Sequence, residues 1–211
     1  MITYLDLDYT IYDTARMEDN LRAVLTDVGV SKKDFDETYW KSLCTHSRFT
    51  YDYYFEEQFD LLRALGHDLP ESVLEKMHAT CNDSYLYDGA VELISYLQAK
   101  SRVILLSAGD MNFQMEKIRG TGADKLVEEI QIVSGNEAKR EFVNTRSLGS
   151  DFIFVNDNLR ENLLVQEAFP KGKIVTKKND RKYSAEDYAK SGLPTFENLF
   201  DIKNYVSTII K

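Results

Sequence analysis

Cysteine is scarce in this chain: Cys44 and Cys81 are the only two in 211 residues. Two are too few for a disulfide scaffold. Cys44 with His46, and His78 with Cys81, would together make four zinc ligands. The Cys-x-His spacing is unusual, however, and both pairs fall in stretches patterned as helices, so buried or half-exposed helix residues are the expectation. Long apolar runs are also missing. None approaches the length of a membrane span, and Met1 leads straight into core-like sequence with no signal peptide ahead of it. The expected location is the cytoplasm. Positive charge is short as well. With 26 Lys and Arg against 35 Asp and Glu, the net charge of −9 argues against a nucleic-acid-binding surface. Repeats and low-complexity tracts are absent. What is present, 43% hydrophobic and 29% charged residues, suits a soluble globular protein of one large domain or a domain with an insertion.

The most informative stretch is the first fourteen residues. Ile2, Tyr4, Leu5, Leu7 and Tyr9 read as a buried strand, and two acids, Asp6 and Asp8, arrive near its end. Beyond the carboxyl ends of strands is where open α/β sheets bind ligands. Two carboxylates so close repel each other unless a cation or a shared proton intervenes. The bland alternative is a strand end with two solvated acids.

Residues 15 to about 85 lose strand signals and take on helical spacing. Met17, Leu21, Val24, Leu25 and Val28 make one helix, stopped by Gly29. A second carries Phe35, Tyr39, Trp40 and Leu43, with Ser31 as its cap. A third runs from about Tyr51 to Leu65, and Pro70 starts a fourth. The dense tyrosines Tyr39, Tyr51, Tyr53 and Tyr54 read as amphipathic core ahead of a substrate-facing wall. From Tyr85 onward, apolar strands at 103–106, 130–133, 152–155 and 173–176 alternate with helices. That pattern implies a parallel sheet with right-handed crossovers. Ser184 caps a short helix to Gly192, and Thr195 is placed at the start of the last helix. The one charge run, Lys177 to Lys182, follows the final strand. It reads as a solvated loop, with an anion-attracting rim as the alternative.

Four strand-associated groups carry chemistry in order: Asp6-Leu7-Asp8-Tyr9-Thr10, then VILLS ending in Ser107, then a lysine ahead of a strand, then FVNDNLRE with Asp157 and Glu161. In this order the chain resembles the haloacid dehalogenase-like (HAD) superfamily over nearly its whole length, and in particular its phosphatases. The resemblance implies an α/β, Rossmann-like parallel-sheet core from 1–14 and 86–211, with a helical cap at 15–85 inserted between the first and second motifs. It implies that Asp6 is the nucleophile, forming an aspartyl-phosphate, and that Asp8 is the acid and then the base. Mg2+ would be held by Asp6, Asp157 and the backbone carbonyl of Asp8. Ser107 and Ala108 would cradle phosphate with a lysine, and Thr10 and Glu161 would support the site. Lys139 best matches the family position for that lysine, with Lys117 and Lys125 as alternatives. The sequence departs from the family at Tyr9, where glycine is common, at Asn156, and at Glu161 in place of aspartate.

The activity expected is hydrolysis of a small phosphorylated metabolite by a monomer or weak dimer. A phosphomutase on the same fold, or a non-catalytic interaction protein, are the alternatives. Dehalogenation is disfavoured because the superfamily's dehalogenases lack an acid at the Asp8 position. A receiver-type signalling domain lacks the helical insertion.

Overall fold

A computed structural model of the chain describes residues 1–44, 52–134, 138–147 and 149–210, with the side chain of Cys44 outside that set. Its centre is a six-stranded sheet: β1 (Ile2–Leu5), β2 (Arg102–Ala108), β3 (Glu129–Val133), β4 (Phe152–Asn156), β5 (Lys173–Lys177) and β6 (Thr195–Phe196). Every pairing is parallel and the order is β3-β2-β1-β4-β5-β6. The chain moves outward from β1 through β2 and β3, then returns to β4 on the other side. The strand order therefore reverses at β1, and the carboxyl end of the sheet at such a reversal is where open α/β sheets bind ligands.

Alternation sorts the strand side chains onto two faces. Leu5, Leu105, Ile153 and Val155 pack with α5 (Ala90–Gln98) and α10 (Leu199–Ile209). Tyr4, Ile104, Phe152 and Phe154 pack with α7 (Ala138–Ser147) and α8 (Leu159–Ala168). All eight are buried, and each such side chain stabilises the fold by about 1.5–3 kcal/mol before conformational entropy is counted. Covering both faces with helices is what lets the central strands read as continuous apolar runs.

Between β1 and β2 the chain forms α1 (Thr14–Thr26), α2 (Lys32–Cys44), α3 (Phe55–Ala64), α4 (Glu71–Ala79) and a 3-10 turn (Thr80–Asn82). These have an apolar cluster of their own, built on residues such as Leu21, Phe35, Phe55, Leu62 and Met77. The two crossing points are tied together. The Asp13 N–H donates to the Tyr85 carbonyl at 2.7 Å, and the Tyr87 N–H to that of Ile11 at 2.9 Å. Contact with the sheet layer runs through α6 (Met111–Gly120). Phe113 packs edge-on to Tyr53 and Phe55. A Cβ at Gly120 would lie 1.8 Å from the Cys81 carbonyl, so only glycine permits this approach.

Several local expectations change. The third helix begins at Phe55, and Tyr51 lies outside the described residues. Trp40 is 61% exposed and so is no core residue. Thr195 sits in β6, while α10 is capped by Asn198, whose side chain accepts the Asp201 N–H. A strand of two residues carries no periodicity to reveal it. Tyr53 is buried, as a core tyrosine should be, but Tyr39 turns its hydroxyl to Glu18. No zinc set forms among the described residues. Burial pushes the Cys81 thiol up to about 12, away from the thiolate a metal needs. His78 bridges Glu116 and Glu56, and His46 lies outside the described residues. Among the described residues, no helix is long and apolar enough to cross a membrane.

Candidate active site

β1 ends at Leu5, and the Asp6 N–H makes the last link, to the Val155 carbonyl at 3.0 Å. The chain then coils tightly. The N–H groups of Thr10, Ile11 and Tyr12 all point at the Leu7 carbonyl, at 3.2, 3.0 and 3.0 Å. This turn requires φ of +55° at Tyr9, the one non-glycine residue with positive φ among the described residues. A left-handed backbone suits glycine best, so a tyrosine here is a departure with a cost. Tyr9 is anchored there by its hydroxyl, which donates to Glu18 Oε1 at 2.9 Å.

The turn presents Asp6 and Asp8 to different partners. Asp6 is buried; it accepts from Lys139 Nζ at 2.6 Å on Oδ1 and from the Thr10 hydroxyl at 3.0 Å on Oδ2. Thr10 in turn accepts the backbone N–H of Asp157 at 2.9 Å, tying the β1 and β4 ends together. Asp8 is surrounded separately. Lys117 Nζ (2.5 Å) and the Thr14 hydroxyl (2.7 Å) donate to Oδ1, and Gln114 Nε2 (3.1 Å) to Oδ2.

The remaining predicted residues join the same network. Ser107, at the end of β2, is buried and donates to Gln114 Oε1 at 3.1 Å. The Ala108 carbonyl accepts from Gln114 Nε2 at 3.1 Å. Glu161 lies 3.2 Å from Lys139 and accepts from Asn156 Nδ2 at 3.0 Å. Asn156 thus does a structural task that glycine could not. Asp157 is buried and accepts from Asn179 Nδ2 at 2.8 Å. Of the three lysines weighed, Lys139 stands at Asp6 and Lys117 at Asp8. Asn179 comes from the charge run after β5, where nothing local marked it. The i, i+3 spacing of Gln114 and Lys117 on the helix after Ser107 was the one available signal for that pair.

The electrostatics separate the acids. Burial raises Asp6, an effect that Lys139 opposes and the neighbouring Glu161 and Asp8 reinforce. Burial, followed by the charge of Asp6, raises Asp157 to about 7. Burial would raise Asp8 too, but the Lys117 ion pair and the Thr14 and Gln114 hydrogen bonds outweigh it and hold Asp8 below its ordinary value. Two buried carboxylates, both raised, are short of positive charge. That is the environment a divalent cation relieves. Among the described residues no group of three His, Cys, Asp or Glu side chains is suited to a metal. The buried Asp6 and Asp157 carboxylates, both with a raised need for a proton, are oxygen donors of the kind a hard divalent cation takes. An oxygen set with few protein ligands matches Mg2+, which keeps several waters.

No family model matches the chain, and no curated relative does. Solved structures do. A haloacid dehalogenase-like hydrolase from Burkholderia xenovorans aligns over 96% of this chain and 95% of its own, at 21% identity and a TM-score of 0.72. A HAD-hydrolase from Bacillus subtilis, bound to magnesium, aligns over 97% of each chain at 16% identity and a TM-score of 0.65. An L-2-haloacid dehalogenase from Xanthobacter autotrophicus, with chloropropionic acid covalently bound, aligns over 98% of this chain and 99% of its own, at 16% identity and a TM-score of 0.63. The chain has the fold of the haloacid dehalogenase-like hydrolases: a Rossmann-like α/β core with helices inserted between its first two strands. At these identities the likeness is one of fold, and the chemistry rests on the site.

Proposed function

We propose that this chain is a magnesium-dependent phosphomonoester hydrolase of the HAD superfamily, acting on a small phosphorylated metabolite through an aspartyl-phosphate on Asp6. The observation that carries the reading is the second acid. Asp8 is held by three donors, two residues from a buried carboxylate that has its own lysine. A halide leaves carbon without taking a proton, so dehalogenation has no use for such a group. An alkoxide leaving phosphorus needs one.

In the first step the substrate enters as its phosphate monoanion and passes its proton to the Asp8 carboxylate; an Asp6 oxygen then bonds to phosphorus as the bond to the ester oxygen breaks, and Asp8 gives that proton to the ester oxygen. In the second step Asp8 takes a proton from water as the water oxygen attacks phosphorus, freeing Asp6 and inorganic phosphate. That proton leaves with the phosphate, so protons balance over the cycle. Asp6, Asp157 and the Asp8 carbonyl would hold Mg2+, and its charge would offset repulsion between the carboxylates and the phosphate. Lys139 adds positive charge at Asp6, and Glu161 holds Lys139 in place. Ser107 and the backbone near Ala108 receive phosphate oxygens. The helical stretch from 15 to 85 serves as a cap that excludes water and selects the substrate.

The test is phosphate release from sugar phosphates, nucleotides and phospho-acids with magnesium present. Wild type should hydrolyse a subset of these and Asp6→Asn none, with unchanged circular dichroism. Full activity in purified Asp6→Asn protein would sink the mechanism, and activity surviving exhaustive chelation would sink the magnesium assignment. A phosphomutase would release little phosphate from any of them.

A further inference from the structure

Three features near the site are left without a task by this chemistry: a second buried lysine, a buried glutamine, and a glycine in a conformation closed to other residues. Lys117 is 1% exposed and Gln114 is 4% exposed. They lie three residues apart, on one face of α6. Beyond its contact with Asp8, the Lys117 ammonium faces the rings of Phe113 and Tyr12, with centroids 4.6 and 5.4 Å away. Gln114 spends its polar atoms on three groups of the site: Asp8 Oδ2, the Ala108 carbonyl and the Ser107 hydroxyl. Gly109 has φ of +134°, and a Cβ there would lie 2.9 Å from Gln114 Nε2. The backbone after Ser107 is thus shaped to admit that amide. Stability is a poor reason for the lysine. A buried ion pair is commonly replaced by apolar side chains at little or no cost.

Resting on the phosphomonoesterase reading, we propose that Gln114 and Lys117 are positioning residues for Asp8, and that Gln114 couples Asp8 to the phosphate-binding hydroxyl of Ser107. Lys117 and Thr14 grip one carboxylate oxygen and Gln114 the other, so the carboxylate cannot rotate toward Asp6 without losing donors. A phosphate oxygen that takes the Ser107 hydrogen removes it from Gln114 Oε1, while Gln114 Nε2 keeps its hold on Asp8. One side chain thereby links occupancy of the phosphate site to the placement of the acid/base. The lysines divide the work: Lys139 serves the nucleophile and Lys117 the proton carrier.

The discriminating readout is leaving-group dependence. p-Nitrophenolate departs without a proton, whereas the alkoxide of glycerol 2-phosphate needs one from Asp8. Full-length wild type, Lys117→Met, Gln114→Met and the conservative Lys117→Arg are compared with magnesium. Phosphate release is followed from glycerol 2-phosphate, and the single-turnover burst from p-nitrophenyl phosphate. Both methionine variants should lose about 10²-fold in kcat on the alkyl ester, the lower range for a general acid–base contribution. Their p-nitrophenolate burst should fall at least tenfold less, with KM little moved, and Lys117→Arg should recover much of the loss. Equal losses on both esters, or no loss on either, would overturn the proposal. If Lys117→Met does not fold, Gln114→Met and Lys117→Arg decide by the same ratio. Wild type inert on both esters would remove the phosphomonoesterase reading and this proposal with it. A normal wild type with the ratio unmoved in the variants would remove the proposal alone.

Discussion

The Thr10 hydroxyl accepts the backbone N–H of Asp157 at 2.9 Å and donates to Asp6 at 3.0 Å. One side chain, 147 residues away in sequence from its backbone partner, therefore fixes the spacing between the two candidate metal-binding carboxylates. Thr10→Val keeps the shape and removes both bonds, leaving a buried N–H without a partner. It should cost about 1–3 kcal/mol in urea denaturation. It should also weaken magnesium binding by isothermal titration calorimetry. Thr10→Ser should restore both.

Lys139 is buried between Asp6 and Glu161. Lys139→Met leaves those carboxylates without their counter-charge and should destabilise the protein by about 3–5 kcal/mol. In the double variant Lys139→Met with Asp6→Asn, the loss should be smaller than in Lys139→Met alone. Chemical denaturation of the four-member cycle checks this, and additive losses would count against the pairing.

Asp157 gives stability a definite pH dependence. Burial and the Asp6 charge raise it to about 7 in the folded protein, against about 3.9 when unfolded. Between these values the folded state holds a proton that the unfolded state has released, so metal-free stability should fall as pH rises through that window. The raised Asp6 acts in the same direction. Added magnesium should raise the melting temperature more at pH 8 than at pH 5, because protons compete for the same oxygens. Asp157→Asn should flatten both trends in a thermal scan.

Tyr9 sets a strained backbone against a hydrogen bond. Its φ of +55° is costly for a side chain of this size, by about 1–3 kcal/mol, and its hydroxyl anchors to Glu18. Tyr9→Phe keeps the strain and loses the bond, and should be less stable than wild type by about 0.5–1.5 kcal/mol. Tyr9→Gly relieves the strain and should be more stable than Tyr9→Phe in urea. The reverse order would show that packing of the ring outweighs the backbone.

Much of the site is local and could be read without coordinates. Asp6, Asp8 and Thr10 fall within five residues at a strand end, so a single tight turn brings them together whatever the rest of the chain does. Ser107 and Asp157 sit at the ends of apolar runs, and a parallel sheet places the ends of such strands along one edge. The two faces of the core follow from alternation in the same way. The division between the lysines was not local. Lys117 and Lys139 both lie on helices that follow strands β2 and β3, and nothing in their own neighbourhoods says which acid each will meet. The strand order β3-β2-β1-β4 decides it, setting α6 against Asp8 and α7 against Asp6. Asn179 reached Asp157 for the same reason, since β5 lies beside β4. The sequence by itself determined which acids crowd together and the need for positive charge beside them. The resemblance pointed to Lys139 as one source of that charge, but only the tertiary structure decided that Lys117 supplies it too and which acid each lysine meets, because an ion pair between residues more than a hundred positions apart depends on how the strands are ordered and not on any pattern along the chain.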